Sequence, residues 1–156
     1  MNSREFLCIA LDINDGRKSR RFVQTLKSFA STFKVGLQLF SSTGPSIIER
    51  VREEGVSVFV DLKLNDIPNT VSAAVTELAK RGANLLTVHT LAGLDTLKAA
   101  KEAALKFSPS PKIIAVTVLT SIDKKALQEI GLEKEPSEMV LCLAAEAAKV
   151  GADGVV

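Results

Sequence analysis

The regular alternation of strand-like runs with helix-like segments is the feature that most constrains what this chain can fold into. Runs rich in β-branched and aliphatic residues predict strands over 6–11, 33–36, 56–61, 84–89, 112–118 and 153–156. The segments between them have apolar residues at helical spacing, most clearly at Val71, Val75 and Leu78, and Gly82 follows where a C-terminal cap is expected. This alternation predicts a parallel sheet covered by helices, in one domain over residues 1–156.

A (β/α) barrel and a doubly wound sheet share this alternation, and polar residues near the ends of the predicted strands distinguish them. Asp12 follows the first strand, Lys34 lies in the second, Asp61 and Lys63 end the third, and His89 ends the fourth. Active sites of (β/α)8 barrels are built from the carboxyl ends of several strands in this way. A doubly wound nucleotide-binding domain usually has a glycine-rich turn after its first strand, where this chain reads "LDINDGRKS". We therefore predict an α/β fold of the (β/α)8 TIM-barrel class, as an incomplete barrel of about six βα units.

The stretch "VSVFVDLKLNDIPNT", residues 56–70, concentrates charge at the end of an otherwise apolar strand. Asp61 and Lys63 are two residues apart, so on a strand they project from the same face, and Lys34 would add a second ammonium group there. Burying such charges is costly, which favours a functional role, with a structural ion pair as the alternative. Taken alone, Asp66 before Pro68 is typical of an N-terminal cap on the next helix.

Composition excludes several other classes of protein. The net charge is only +2 and the chain contains no Trp or Tyr, so neither a basic surface nor the usual base-stacking platforms indicate a nucleic-acid partner. No apolar run approaches the roughly 20 residues of a membrane span. The opening "MNSREFLCIALD" lacks the pattern of a signal peptide, so we expect a cytoplasmic protein with Cys8 and Cys142 as buried, reduced thiols. A single histidine, His89, argues against a zinc site.

The segment "DLKLNDIPNT" resembles the signature D-x-K-x-x-D-I-P-x-T of the orotidine 5'-phosphate decarboxylase family. Further segments match in the family's order along all 156 residues: "ALD", "FKVG", "VHT", "IAVTVLTS" and "VGADGVV". The resemblance implies a (β/α)8 barrel that acts as a homodimer. It also implies conversion of orotidine 5'-phosphate to uridine 5'-phosphate, a step of pyrimidine biosynthesis, with no metal or organic cofactor.

The resemblance also implies roles for the charged residues. Lys34, Asp61, Lys63 and Asp66 would form a tetrad of alternating charge, with Asp66 and Thr70 supplied by the partner subunit. Lys63 would protonate the pyrimidine carbon that loses carbon dioxide, and Asp61 would lie beside the departing carboxylate. Independently of the family, a fixed ammonium group in a water-poor pocket would stabilise a carbanion and could deliver its proton.

Two further residues, Asp12 and Thr120, complete the expected site. By the same resemblance, Asp12 and Lys34 would hold the ribose, and Thr120 would meet the edge of the base. Two interpretations of His89 stay open: it is a hydrogen-bonded histidine of the core, or it supports the site.

The resemblance further predicts parts that the 156 residues do not contain. In this family the loops after strands seven and eight carry a "PGIR"-like segment and a "GR" pair, and barrels of this type commonly bind phosphate there. We therefore expect the isolated polypeptide to have severely reduced activity. Two alternatives stay open: a magnesium-dependent sugar-phosphate decarboxylase or aldolase of the same superfamily, and an inactive half-barrel that serves as a binding module.

Overall fold

A parallel six-stranded sheet lies at the centre of the computed structural model, which describes residues 3–156. Its strands are β1 (Cys8–Ala10), β2 (Thr32–Gly36), β3 (Ser57–Leu64), β4 (Leu85–His89), β5 (Lys112–Val116) and β6 (Gly154–Val155). Each strand is hydrogen-bonded to the next one in the chain, in the order β1-β2-β3-β4-β5-β6. A doubly wound sheet would reverse its strand order at one point. The consecutive order is that of an incomplete (β/α)8 barrel, which confirms the predicted fold class.

Helices connect successive strands. They are α1 (Gly16–Leu26), α2 (Leu37–Thr43), α3 (Ser46–Arg52), α4 (Pro68–Lys80), α5 (Leu94–Ala104), α6 (Lys124–Glu129) and α7 (Pro136–Lys149), with short 3-10 helices at Ser3–Phe6 and Thr90–Ala92. Connections between parallel strands are almost always right-handed, so consecutive strands place these helices on one face of the sheet. No helix in the described part of the chain is long and apolar enough to cross a membrane.

The hydrophobic core lies between the sheet and these helices. Along each strand, alternate residues face the helices, and Phe33, Val35, Val58 and Val88 are completely buried there. The residues between them project to the opposite, concave face. Lys34 lies between Phe33 and Val35, so its side chain is on the concave face. The polar residues of the strands therefore collect on that face, while the apolar residues fill the core.

The helix-to-strand turns before β4 and β6 share one design. Gly82 follows α4 with φ 92° and Gly151 follows α7 with φ 70°, the left-handed conformation that glycine adopts most easily. Asn84 and Asp153 come two residues later. The backbone N–H of each donates to a carbonyl oxygen of the preceding strand, which is β3 for Asn84 and β5 for Asp153. A side-chain oxygen of each accepts from a backbone N–H of that same strand, and all four hydrogen bonds are 2.8 Å long. These side chains fix where β4 and β6 begin, and the expected cap at Gly82 is confirmed.

Some sequence-based boundaries differ from the structure. Strand β1 has only three residues, because a sheet neighbour lies on one side of it alone, whereas β3 continues past Asp61 to Leu64. The prediction of two buried thiols was wrong. Cys8 is exposed on the strand at the open edge of the sheet, and Cys142 is half-buried on α7.

Candidate active site

Three charged side chains meet on the concave face of the sheet. Lys34, Asp61 and Lys63 form what we call the charged cluster. The Lys34 Nζ atom lies 3.3 Å from Asp61 Oδ2, and Lys63 Nζ lies 2.9 Å from Oδ1 and 3.0 Å from Oδ2 of the same carboxylate. The Asp61 side chain is 11% exposed, against 25% for Lys34 and 37% for Lys63. One nearly buried carboxylate therefore holds two ammonium groups, and one positive charge is left in excess.

A β-bulge in β3 shapes the charged cluster. Val60 pairs with Leu86 and Leu64 pairs with Val88. Between these two pairs β3 moves four residues along the chain, whereas β4 moves only two. Within this bulge Lys63 has φ 51°, a left-handed conformation that non-glycine residues adopt at a cost of about 1–2 kcal/mol. The contact between Lys63 and Asp61 is therefore made through an irregular backbone and not through simple strand alternation.

The bulge is bridged by a residue that the sequence analysis missed. Thr87 lies on β4, and its side chain is buried, with 1% of the residue exposed. Its hydroxyl group accepts from the Lys63 backbone N–H at 2.8 Å and lies 3.0 Å from Asp61 Oδ1, to which it donates. The available signal was the threonine itself, because a hydroxyl group inside the apolar run "LLTVH" needs a hydrogen-bond partner when it is buried.

The surroundings of Asp61 favour its ionised form. Burial by itself would raise the pKa of this carboxyl group. The hydrogen bond and charge of Lys63, the Thr87 hydroxyl and the charge of Lys34 outweigh that effect, so the pKa lies below its ordinary value. At neutral pH the carboxylate is therefore charged and available to both lysines.

The two residues expected beside the charged cluster in the same subunit differ in position. Asp12 follows β1, its side chain is 66% exposed, and its Oδ1 atom lies 3.8 Å from Lys34 Nζ. Thr120 is exposed in the loop after β5, and no hydrogen bond joins it to the charged cluster within the described residues. The structure thus brings Asp12 to the edge of the charged cluster and leaves Thr120 exposed in the loop after β5.

Asp66 and Thr70 are exposed at the start of α4, and within residues 3–156 neither makes a hydrogen bond or ion pair with the charged cluster of its own chain. The alternative that Asp66 caps this helix is wrong. The residue before a proline is restricted to extended conformations, so Ile67, which precedes Pro68, occupies the N-cap position with ψ 155°. The Asp66 carboxylate instead accepts from the Ile67 backbone N–H at 2.7 Å.

His89 ends β4 with 9% of its surface exposed, and its Nδ1 atom has no hydrogen-bond partner within the described residues. Burial lowers the pKa of the imidazole, and the charge of Lys63 lowers it further, so the ring is neutral at pH 7. It borders a pocket of about 130 Å³, which Asn65 and Thr117 also line. Within residues 3–156 no three His, Cys, Asp or Glu side chains are placed to hold a metal ion.

Known proteins match this chain along nearly its whole length. The orotidine 5'-phosphate decarboxylase / HUMPS family model matches residues 5–156. Orotidine 5'-phosphate decarboxylase of Moorella thermoacetica is 43% identical over 100% of this chain and 64% of the relative. The protein of that name from Carboxydothermus hydrogenoformans is 42% identical over 97% of this chain and 65% of the relative.

Solved structures match as well. The crystal structure of orotidine 5'-phosphate decarboxylase from Lactobacillus acidophilus has a TM-score of 0.87 and 36% identity, covering 97% of this chain and 70% of that one. The chain thus spans somewhat under two thirds of the length of the two curated relatives, at 64% and 65%. The consecutive parallel strands, the signature over β3 and these matches agree, and the chain belongs to the orotidine 5'-phosphate decarboxylase / HUMPS family.

Proposed function

We propose that this chain carries the decarboxylation centre of an orotidine 5'-phosphate decarboxylase, which forms uridine 5'-phosphate in pyrimidine biosynthesis. The observation that carries the proposal is the charged cluster, in which the Asp61 carboxylate lies 3.3 Å from the Lys34 ammonium and 2.9 Å from that of Lys63. The names of the relatives supply the substrate and the reaction. A cytoplasmic location belongs to the same proposal.

The chemistry requires a cation where a carbanion forms. The bond between the pyrimidine ring and its carboxylate breaks, carbon dioxide leaves, and the bonding electron pair stays on the ring carbon. The Lys63 ammonium stabilises that negative charge and then transfers a proton to the carbon. The resulting neutral amine regains a proton from water. Lys34 and Asp12 would contact the ribose, and Thr120 the edge of the base.

Asp61 has two roles in this proposal. Its carboxylate holds both ammonium groups in place before substrate binds, so little reorganisation is needed when charge develops. It would also lie beside the substrate carboxylate, where the ammonium groups of Lys34 and Lys63 flank it and offset its own negative charge. The ionised state expected from its lowered pKa suits both roles.

A homodimer would complete the site. Asp66 and Thr70 are exposed, and within the described residues neither makes a hydrogen bond or ion pair with the charged cluster of its own chain, which supports their assignment to a partner's site. Mixing Lys63→Ala chains with Asp66→Asn chains tests this assignment. Half of randomly formed dimers are mixed and each has one intact site, so roughly a quarter of wild-type activity should return. Activity no higher than the sum of the two separate variants would refute the shared site.

Release of carbon dioxide from carboxyl-labelled orotidine 5'-phosphate tests the reaction itself. We expect Lys63→Ala to abolish release while sparing nucleotide binding, because the proton donor is lost and the other contacts stay. Lys125→Ala is the matched control, since that lysine is 83% exposed on α6. Equal rates for wild type and Lys63→Ala would exclude Lys63 as the proton donor.

The rate of the isolated chain is a separate expectation. The 156 residues span 64% of the Moorella relative, and the phosphate-binding loops that the family resemblance predicts are not among them. Binding energy from remote groups such as phosphate contributes much to catalysis. We therefore expect turnover far below that of the Moorella protein, and a comparable rate would refute this expectation.

The two alternative functions give different results in the same assays. A magnesium-dependent sugar-phosphate decarboxylase or aldolase would lose activity when a chelator is added, and the relatives named here do not favour it. An inactive binding module would bind a nucleoside monophosphate in calorimetry without releasing carbon dioxide. Chelator-insensitive release that depends on Lys63 would exclude both.

A further inference from the structure

Thr87 occupies a central place among the hydrogen bonds of the site. It lies on β4, opposite the bulge of β3, and it is neither charged nor part of the signature segment. One hydroxyl group contacts both functional residues of β3, accepting from the Lys63 backbone N–H at 2.8 Å and lying 3.0 Å from Asp61 Oδ1. Because an ionised carboxylate only accepts and a backbone N–H only donates, the direction of both bonds is determined.

We propose that Thr87 is a positioning residue, which sets the relative placement of the Asp61 carboxylate and the Lys63 ammonium by bonding to both residues across the bulge. The proposal rests on the function proposed above, since it assigns Thr87 to that reaction. Thr87 itself would touch neither the substrate nor the reacting atoms.

The bulge explains why such a residue is needed. Between Val60 and Leu64, β3 has two more residues than β4, so the regular sheet ladder cannot satisfy every N–H group in this stretch. The Lys63 N–H would be left without an acceptor if the Thr87 hydroxyl were absent, and Lys63 is held at φ 51°. A strained residue keeps one conformation only when its surroundings fix it, and this hydrogen bond supplies that restraint.

The second hydrogen bond acts on Asp61. The carboxylate receives Lys34 from β2, Lys63 from β3 and the hydroxyl group from β4, so it is held from three successive strands. Cys8 on β1 also interacts electrostatically with it, and Asp12 lies 3.8 Å from the Lys34 ammonium group. Of these groups, Thr87 alone is uncharged and almost completely buried, with a residue exposure of 1%. It fixes the rotation of the carboxylate without adding charge to the site.

Thr87→Val is the test variant, because valine has nearly the same shape and cannot form either hydrogen bond. Thr87→Ser keeps the hydroxyl group and serves as the rescue variant. Thr76→Val is the matched control, since the Thr76 hydroxyl donates at 2.8 Å to a carbonyl within α4, away from the charged cluster. With orotidine 5'-phosphate we expect Thr87→Val to lower kcat on the order of tenfold or more, with KM within about twofold, as for a misplaced catalytic group. Thr87→Ser and Thr76→Val should stay within about threefold of wild-type kcat.

Two NMR measurements test the positioning role of Thr87 without an activity assay. The Asp61 carboxyl carbon, followed by pH titration, should show a higher pKa in Thr87→Val than in wild type or Thr87→Ser, because a hydrogen bond to the charged form is lost. In the wild-type chain, the Lys63 amide should exchange with solvent on the order of tenfold or more slowly than an open amide, as one hydrogen bond predicts. This second measurement needs no variant and decides the question if Thr87→Val does not fold.

The outcomes separate the inference from the proposed function. If wild type releases no carbon dioxide, the proposed function fails, while the titration and the amide exchange still report on Thr87. An unprotected Lys63 amide, or an unchanged Asp61 pKa in a folded Thr87→Val protein, would overturn the positioning role. A kcat loss in Thr87→Ser as large as in Thr87→Val would also overturn it, since the hydroxyl group would then not be the active part.

Discussion

Replacing Asp61 with asparagine should destabilise the folded chain by about 2 kcal/mol, because the change leaves two ammonium groups without their shared carboxylate. At an effective dielectric constant near 20, charges 2.9 Å and 3.3 Å apart attract by about 5–6 kcal/mol each before desolvation is counted. Desolvation offsets most of this attraction. Removing one partner of a fully buried pair costs about 3–5 kcal/mol, whereas a surface pair contributes about 0–1 kcal/mol.

The exposed fractions place this site between those limits. The Asp61 side chain is 11% exposed, but that of Lys63 is 37% exposed, so solvent screens part of the interaction. Urea unfolding followed by circular dichroism measures the effect, and a loss of 2 kcal/mol lowers the midpoint by about 1 M for a typical slope of about 2 kcal/mol/M. Glu77→Gln is the matched control, since Glu77 is 64% exposed and pairs with Lys80 at 2.7 Å on the surface of α4. If Asp61→Asn shifted the midpoint no more than this control, the charged cluster would not stabilise the fold through a largely buried carboxylate.

Three further predictions concern pH and strand starts. The lowered pKa of Asp61 adds stability that is fully present above its unfolded value of about 3.9. This stability is lost as pH falls through the folded pKa, so the urea midpoints of wild type and Asp61→Asn should converge as the pH falls below about 4. The lowered pKa of His89 means that, as the pH falls, the unfolded chain takes up a proton before the folded chain does. The melting temperature of wild type should therefore decrease as the pH falls below about 6.5, and that of His89→Gln should decrease less. Parallel pH profiles of the two proteins would refute this assignment. Asn84→Ala should cost about 1 kcal/mol in urea unfolding, because the side chain accepts from a strand N–H at 2.8 Å, whereas the exposed Asn69→Ala should change little; equal effects would contradict the role of Asn84 at the start of β4.

The order of strands and helices could be predicted because it depends on local patterns. Runs such as "VSVFV" have the length and β-branched content of a buried strand, and the residues from Val71 to Leu78 repeat at helical spacing. The charges at the strand ends then favoured a barrel over a doubly wound sheet. The consecutive strand order confirms that choice.

The detailed geometry of the site could not be predicted in the same way. Strand alternation alone would put Asp61 and Lys63 on one face, and the contact between them is present, but it passes through a bulge and a left-handed Lys63. A bulge is a mismatch between two strands, so it is visible only when the register of β3 against β4 is known. The role of Thr87 depends on that register. The start of α4 at Pro68 could be predicted from the sequence. Asp66 is nevertheless not the N-cap, because proline restricts the backbone of the preceding residue, Ile67, to an extended conformation and so makes Ile67 the N-cap.

A crystal structure of the chain with bound uridine 5'-phosphate would show whether the charged cluster faces the reacting carbon. The pyrimidine ring should lie on the concave face of the sheet, with the ring carbon that would have carried the carboxylate within about 3–3.5 Å of Lys63 Nζ. The Asp61 carboxylate should still contact both lysines in that complex. A ring bound away from the charged cluster, or a Lys63 side chain turned into solvent, would refute the role of Lys63 as the group that stabilises and protonates the carbanion.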